Sequence, residues 1–319
     1  MRLSSLASLE TWKGLSLETA WRLAPRSPQK SELPTWRLEL RELEDVQVLW
    51  PLHYEWAPSR KWVDPLQHGF CKYVSSSRCE IPQTFPGIVL IQIVIRGVPH
   101  DVAIDYSDLP DANEDCARRC SLYFKMQFSR GGYSLNNIVP GGFVPNSEDL
   151  YAYLRPVRAL ADRKSYRYDV YGRFGLEFAS EVRRGAHSIL TTQNDFAWEG
   201  SLRIRRYSLA LREIARSKIC IDLPGKGDFC FRLIDYLAVG ACIIAPRHHN
   251  VLHVPLVDRE HIVYVEEDLS NLVEMCKFYL KNDDAREQLR CNSRRFFDKY
   301  LHRDQLAAYY LRCCLDKLS

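Results

Sequence analysis

Within residues 217–247 stand three groups whose types and spacing suit them to hold an anion beside a diol. Gly225, Lys226 and Gly227 make a turn with two positions free of Cβ, where backbone amides can approach a bound group closely. Asp228, Arg232 and Asp235 follow at i, i+4 and i+7, a spacing that places them along one side of a helix. Arg232 with Lys226 close by can neutralise a diphosphate, and Asp235 can accept hydrogen bonds from a ribose diol. The same charges also suit a solvent-facing ion-pair ladder, with Asp228 capping the helix.

The elements around these residues decide where they sit. Residues 218–223 form a short apolar and β-branched run closed by Pro224-Gly225, the pattern of a buried strand. Over 228–239 the apolar residues Cys230, Leu233, Ile234 and Leu237 follow helical spacing, and Gly240 ends that helix. A second buried strand spans 241–245, before Pro246. The glycine turn therefore lies between the carboxyl end of a strand and the amino end of a helix, where open α/β sheets bind ligands and anions are favoured.

The string Phe231-Arg232-Leu233-Ile234-Asp235-Tyr236-Leu237-Ala238-Val239-Gly240 resembles the nucleotide-sugar-binding segment of GT-B-fold glycosyltransferases, in their exostosin-like and CAP10-like branches. The resemblance covers residue 166 to the C-terminus and, more loosely, the N-terminal half. It implies an α/β chain of two Rossmann-like domains facing each other across a cleft, the C-terminal one a parallel sheet with helices on both faces. It also implies transfer of a sugar, hexosyl by class, from a UDP- or GDP-linked donor to a hydroxyl acceptor, with no cofactor and no metal. Asp235 would bind the ribose, and Gly225, Lys226, Gly227 and Arg232 the diphosphate, with Arg173 a further phosphate ligand. Retaining enzymes of this fold often carry two glutamates eight positions apart. Eight before Asp235 stands Gly227, which leaves retention and inversion both open.

At 319 residues the chain can build two domains, each with its own core. The longest apolar run, 88–95, is too short to span a bilayer and reads as a core strand. The first residues lack an apolar h-region, and the 11 cysteines include no C-x-x-C pair. Reduced thiols and a cytoplasmic location are therefore expected, with peripheral membrane association left open. A net charge of +4 does not by itself call for nucleic acid.

Strands are expected over 36–40, 46–50, 87–95, 98–106 and 122–128, with an irregular stretch at 136–145 and a helix over 147–162. The domain boundary falls there, giving 1–160 as the acceptor side and 161–319 as the nucleotide-sugar side. The second half then alternates: strand 166–171, helix 177–188, strand 189–192, helix 203–216, the central unit, strand 262–265, and helices from about 268, 284 and 303. An apolar last helix is expected to cross back onto the first domain. In the first domain, His53, Tyr54, Glu55 and Trp56 follow a strand and would lie at a sheet edge or in a cleft. The acids Asp105, Asp108, Asp111, Glu114 and Asp115 close the strand 98–106. They fit no calcium loop, and either face the cleft or cap a helix.

Asp105 and Asp108 are thus the candidates for a base that deprotonates the acceptor hydroxyl. The acceptor itself is unknown: a glycan, a lipid-linked glycan or nucleic acid. A second function class is a nucleic-acid-binding protein, using the helix 203–216 with Arg203, Arg205, Arg206, Arg212 and Arg216 beside Tyr207. An oxidoreductase fits less well, because Cys230 stands where a dinucleotide fingerprint would place its third glycine.

Overall fold

The computed structural model describes residues 9–24, 35–203 and 205–318. Helices α1 (Leu9–Leu23) and α2 (Leu40–Leu43) lead to β1 (Val46–Pro51), α3 (Arg60–Phe70), β2 (Ser75–Cys79), β3 (Ile88–Ile95), β4 (Val98–Asp105), α4 (Glu114–Arg119), β5 (Leu122–Lys125) and β6 (Ile138–Pro140). These strands form one sheet in the order β2-β1-β3-β4-β5-β6. The chain continues through α5 (Asp149–Asp162), β7 (Tyr168–Tyr171), α6 (Ser180–Thr192), β8 (Trp198–Glu199), α7 (Tyr207–Ala215), β9 (Ser217–Ile221), α8 (Phe231–Val239), β10 (Cys242–Pro246) and β11 (Val263–Val265). It closes with α9 (Leu272–Lys281), α10 (Asp283–Phe296) and α11 (Arg303–Leu318).

The second sheet, β11-β10-β9-β7-β8, is parallel throughout. Its strands are covered on both faces. Tyr171, Cys220, Ile243 and Ala245 face α7 and α8, while Val170, Ile219, Ile221 and Ile244 face α6 and α9. The first sheet is mixed, with β3 antiparallel to both β1 and β4. The reason is local. Arg96 and Gly97 join β3 to β4 with φ of 51° and 80°, a two-residue hairpin turn, whereas a parallel return needs a crossover of a dozen residues or more.

Several expectations shift in the structure. Residues 36–39 are not a strand; the Trp36 ring packs on Tyr309 and His253 instead. The expected strand 189–192 is the last part of α6, where Leu190 continues the buried stripe of Arg183 and Ala186. Helix α7 starts at Tyr207, so Arg203, Arg205 and Arg206 precede it, and Ile204 lies outside the described residues. α3 holds Pro65 and Gly69 within eleven residues, which masks its helical period, and β2 is a polar strand at the sheet edge.

One continuous apolar core joins the two sheets, from Val48, Ile91 and Phe124 to Leu233, Tyr236 and Ile243. α11 returns to the first sheet, where Tyr310 stacks on Phe124 at 3.7 Å and donates to Gly141 O at 2.8 Å. α1 and α5 pack against α7, and α5 against α8, so both lie with the second sheet. A polar tie runs through this core. Fully buried Gln127, just past β5, donates to Phe229 O at 2.9 Å and accepts from Phe229 N at 3.1 Å and from Asn250 Nδ2 at 2.8 Å. Val251 N to Phe128 O and Arg130 N to His249 O extend it.

Gln127→Ala would strand both backbone groups of Phe229 away from water, each at about 1–3 kcal/mol. Urea unfolding of this variant is expected to show a loss of about 2–4 kcal/mol. An unchanged midpoint would mean that the tie contributes nothing.

Candidate active site

The topology of the second sheet singles out one crevice. From β7 the chain leaves through α6 toward β8; from β9 it leaves through α8 toward β10 on the opposite side and opposite face. β7 and β9 are neighbours, so the connections diverge between their carboxyl ends. That is the switch point of an open α/β sheet, where the loops part and leave room for a ligand. Its walls are the loops 172–175 and 222–230.

Two arginines, Arg183 buried and Arg232 partly buried, hold these loops. Arg183 on α6 donates to Gly175 O at 2.6 Å and to Pro224 O at 2.7 Å, tying one wall to the other. Arg232, in the first turn of α8, donates to Asp222 Oδ1 at 3.0 Å, Leu223 O at 2.7 Å and Arg173 O at 3.3 Å. Asp222 is set against both cations; among the described residues its Oδ2 has no hydrogen-bond partner, and His248 Nε2 stands 4.0 Å from it. Burial, and then the nearby Arg232 charge, pull the Arg183 pKa down. Among these three side chains the crevice has two positive charges to one negative, a balance that favours a bound anion.

Arg173, Arg232 and Asp235 line one cavity of about 330 Å³ with Phe174, Tyr207 and Cys230. Arg173 is already paired, to Glu213 Oε2 at 2.7 Å and Glu199 Oε1 at 2.9 Å. Asp235 is only 5% exposed and so is no part of a solvent-facing ion-pair ladder. Its Oδ1 accepts from Tyr207 OH at 2.8 Å and from Asn146 N at 3.2 Å. Burial pushes its pKa up to about 7, against the opposing pull of those bonds and of Lys61.

The glycine loop is placed differently. A Cβ on Gly225 would sit 2.8 Å from Cys230 Sγ, and one on Gly227 would sit 2.7 Å from Asp108 O, so both glycines admit protein atoms. Lys226 is exposed and, among the described residues, makes no ion pair. Asp228 stands before the helix, where its Oδ2 accepts from Asn250 N at 2.8 Å. It neither caps α8 nor shares a face with Arg232.

The contact at Gly227 brings the two domains together at Asp108. This carboxyl is half-buried, and burial raises its pKa while Lys226 and Lys125 pull it down. Asp105 differs. At 2% exposure it pairs with Lys125 Nζ at 2.9 Å and accepts from Tyr123 OH and Ser107 N, so it is a closed internal ion pair. The capping half of the acidic-run expectation falls on Asn113, whose side chain accepts from Cys116 N at the start of α4. Among the described residues no three His, Cys, Asp or Glu side chains converge as metal ligands.

Three arginines of the basic stretch, two of them exposed, are paired with acids of α1. Glu10 pairs with Arg203 at 2.9 Å and Arg205 at 2.6 Å, and Glu18 pairs with Arg206 at 2.5 Å. α1 thereby offsets part of the charge that a nucleic-acid backbone would need.

Residues 154–312 match the family model described as glycosyl transferase-like. This part of the chain is a glycosyltransferase-like domain. No curated protein sequence matches the chain significantly. Among solved structures, a glycosyltransferase from Rickettsia africae ESF-5 is 15% identical, over 51% of this chain and 44% of its own, with a TM-score of 0.31. A Listeria monocytogenes protein described as a UDP-N-acetylglucosamine 2-epimerase is 9% identical, over 64% and 61%, with a TM-score of 0.35. The chain spans less than two thirds of the length of either. The architecture is mixed α/β, with a six-stranded mixed sheet, a five-stranded parallel sheet and flanking helices. Among the described residues, no helix is long and apolar enough to cross a membrane.

Within the glycosyltransferase-like domain, Arg183 and Asp222 went unread in the sequence, as did Gln127 in the other half. Two of them carried a signal: Gln127 is a polar residue just past a short apolar strand, and Asp222 an acid at a strand's carboxyl end.

Asp235 gives a pH test. Folded, it keeps its proton up to about pH 7; unfolded, it loses it near about pH 4. The folded state binds more protons between these values, so stability falls as pH rises through that window. Asp235→Asn keeps an acceptor for Tyr207 and Asn146 without the charge. Urea unfolding should find it at least as stable as the native chain at pH 8, with a smaller gain on acidification to pH 5.5. An equal gain in both would contradict the raised pKa.

Proposed function

We propose that this protein transfers a hexosyl group from a UDP- or GDP-linked sugar to a hydroxyl acceptor, without a metal ion. The observation that carries the reading is the excess of positive charge at the switch point of a glycosyltransferase-like domain, with the Asp108 backbone of the other domain against the same loop. The donor diphosphate lies over Arg183 and Arg232, with exposed Lys226 closing on it. Asp235 and Tyr207 hold the ribose in the adjoining cavity, and Arg173, bound by Glu213 and Glu199, shapes its wall.

In the reaction, the acceptor oxygen bonds to the anomeric carbon as its proton passes to the Asp108 carboxylate. The bond from that carbon to the diphosphate breaks, and its electron pair leaves on the diphosphate oxygen. Fixed cations around that oxygen stabilise the developing charge. A carboxyl with a raised pKa is the better proton acceptor, and a single displacement of this kind inverts the anomeric centre. Asp105 takes no part, since Lys125 and Tyr123 occupy its oxygens.

Lys226→Ala tests the donor side without disturbing the core. It should leave the melting temperature unchanged while weakening UDP or GDP binding about tenfold by calorimetry, roughly one charge-assisted bond. Unchanged affinity would remove Lys226 from the diphosphate. Asp108→Asn should retain that affinity and lose about 10²-fold or more in turnover, and EDTA should leave the native turnover unaltered. Normal turnover in Asp108→Asn, or EDTA inhibition reversed by manganese, would overturn the mechanism.

A further inference from the structure

The loop after β1 carries a feature that the donor site does not use. Trp56 is 50% exposed and nearly parallel to the Tyr106 ring, with centroids 6.4 Å apart and planes 14° apart. Trp62 lies 5.9 Å from Trp56 and 5.0 Å from Tyr106. On its far side it meets Phe231, at 5.2 Å, and Phe231 lines the donor cavity. The rings therefore form a continuous line from the open surface to the donor site. Tyr106 stands two residues before Asp108, on the same loop end of β4.

Single exposed aromatics are ordinary on a soluble protein. This one is set apart by its neighbours. Exposed His53 and Glu55 flank Trp56, and the Glu55 charge is felt at Tyr106. The surface thus combines an aromatic face about one ring wide with hydrogen-bonding groups at its rim. A pyranose has the matching form: C–H groups over its flat faces and hydroxyls around its edge. The carboxylates Glu55 and Asp108 are offset by Lys61, whose Nζ lies 3.8 Å from the Phe231 ring centre, so the surface carries no one-sided charge and suits a neutral polar acceptor. A lipid chain would leave those polar groups without partners.

We propose that Trp56, Trp62 and Tyr106 form the acceptor subsite and that the acceptor is a carbohydrate, packed face-on against Trp56 with one hydroxyl toward Asp108. This rests on the reading of the crevice as a donor site, and the test separates the two. Saturation-transfer NMR with lactose, cellobiose, maltose and chitobiose, in the presence of UDP or GDP, measures the acceptor side. At least one disaccharide should bind, with Trp56→Ala weakening it tenfold or more and Trp56→Phe recovering most of the loss. Calorimetry with UDP or GDP alone should give the same affinity in all three proteins.

Nucleotide binding without binding of any of these disaccharides, or with disaccharide affinity unaltered in Trp56→Ala, would overturn the carbohydrate subsite and leave the donor reading standing. Trp56-dependent binding of n-octanol in place of the saccharides would overturn it in favour of a lipid acceptor. Failure of both UDP and GDP to bind would overturn the donor reading and this subsite together.

Discussion

The Gln127 amide bonds both backbone groups of Phe229, and much of the site's geometry depends on that contact. It lies in the core between the two sheets, where an unmet polar group is costly. It also fixes the chain just ahead of α8, so that Arg232 faces Asp222 and Asp235 faces Asn146. Gly227 has no Cβ at the place where one would meet Gln127 and Asp108. The absence of a side chain there lets the first domain approach the loop, with the Asp108 backbone against it.

Charge is arranged around this frame with little freedom. Arg183 ties the two loops through their carbonyls, while Asp222 balances Arg232. What remains is more positive than negative charge around the crevice, a field that favours a bound anion. Asp235 holds the opposite position. It is a buried acid held by a tyrosine hydroxyl and a backbone amide, able to take a diol's hydrogen bonds when ionised.

The central strand–turn–helix–strand unit was legible in the sequence because its apolar runs are continuous and its glycines punctuate them. The long core strands β3 and β4 and the crossing of α11 were legible for similar reasons. What the glycines approach was not, since it depends on Gln127 and Asp108, about a hundred residues away along the chain. Arg183 was hidden for the same cause: its partners lie on two separate loops. The spacing of Asp228, Arg232 and Asp235 assumed a helix three residues longer than α8, and a shorter helix sends the three side chains to separate partners.

The claim on which the rest turns is that the crevice at the ends of β7 and β9 takes a nucleoside diphosphate. Hydrogen–deuterium exchange with and without saturating UDP or GDP addresses it directly, because backbone amides at a filled site exchange more slowly. Slowed exchange should concentrate in 172–175 and 222–230. No slowing with either nucleotide, or slowing confined to the arginines around α7, would contradict it.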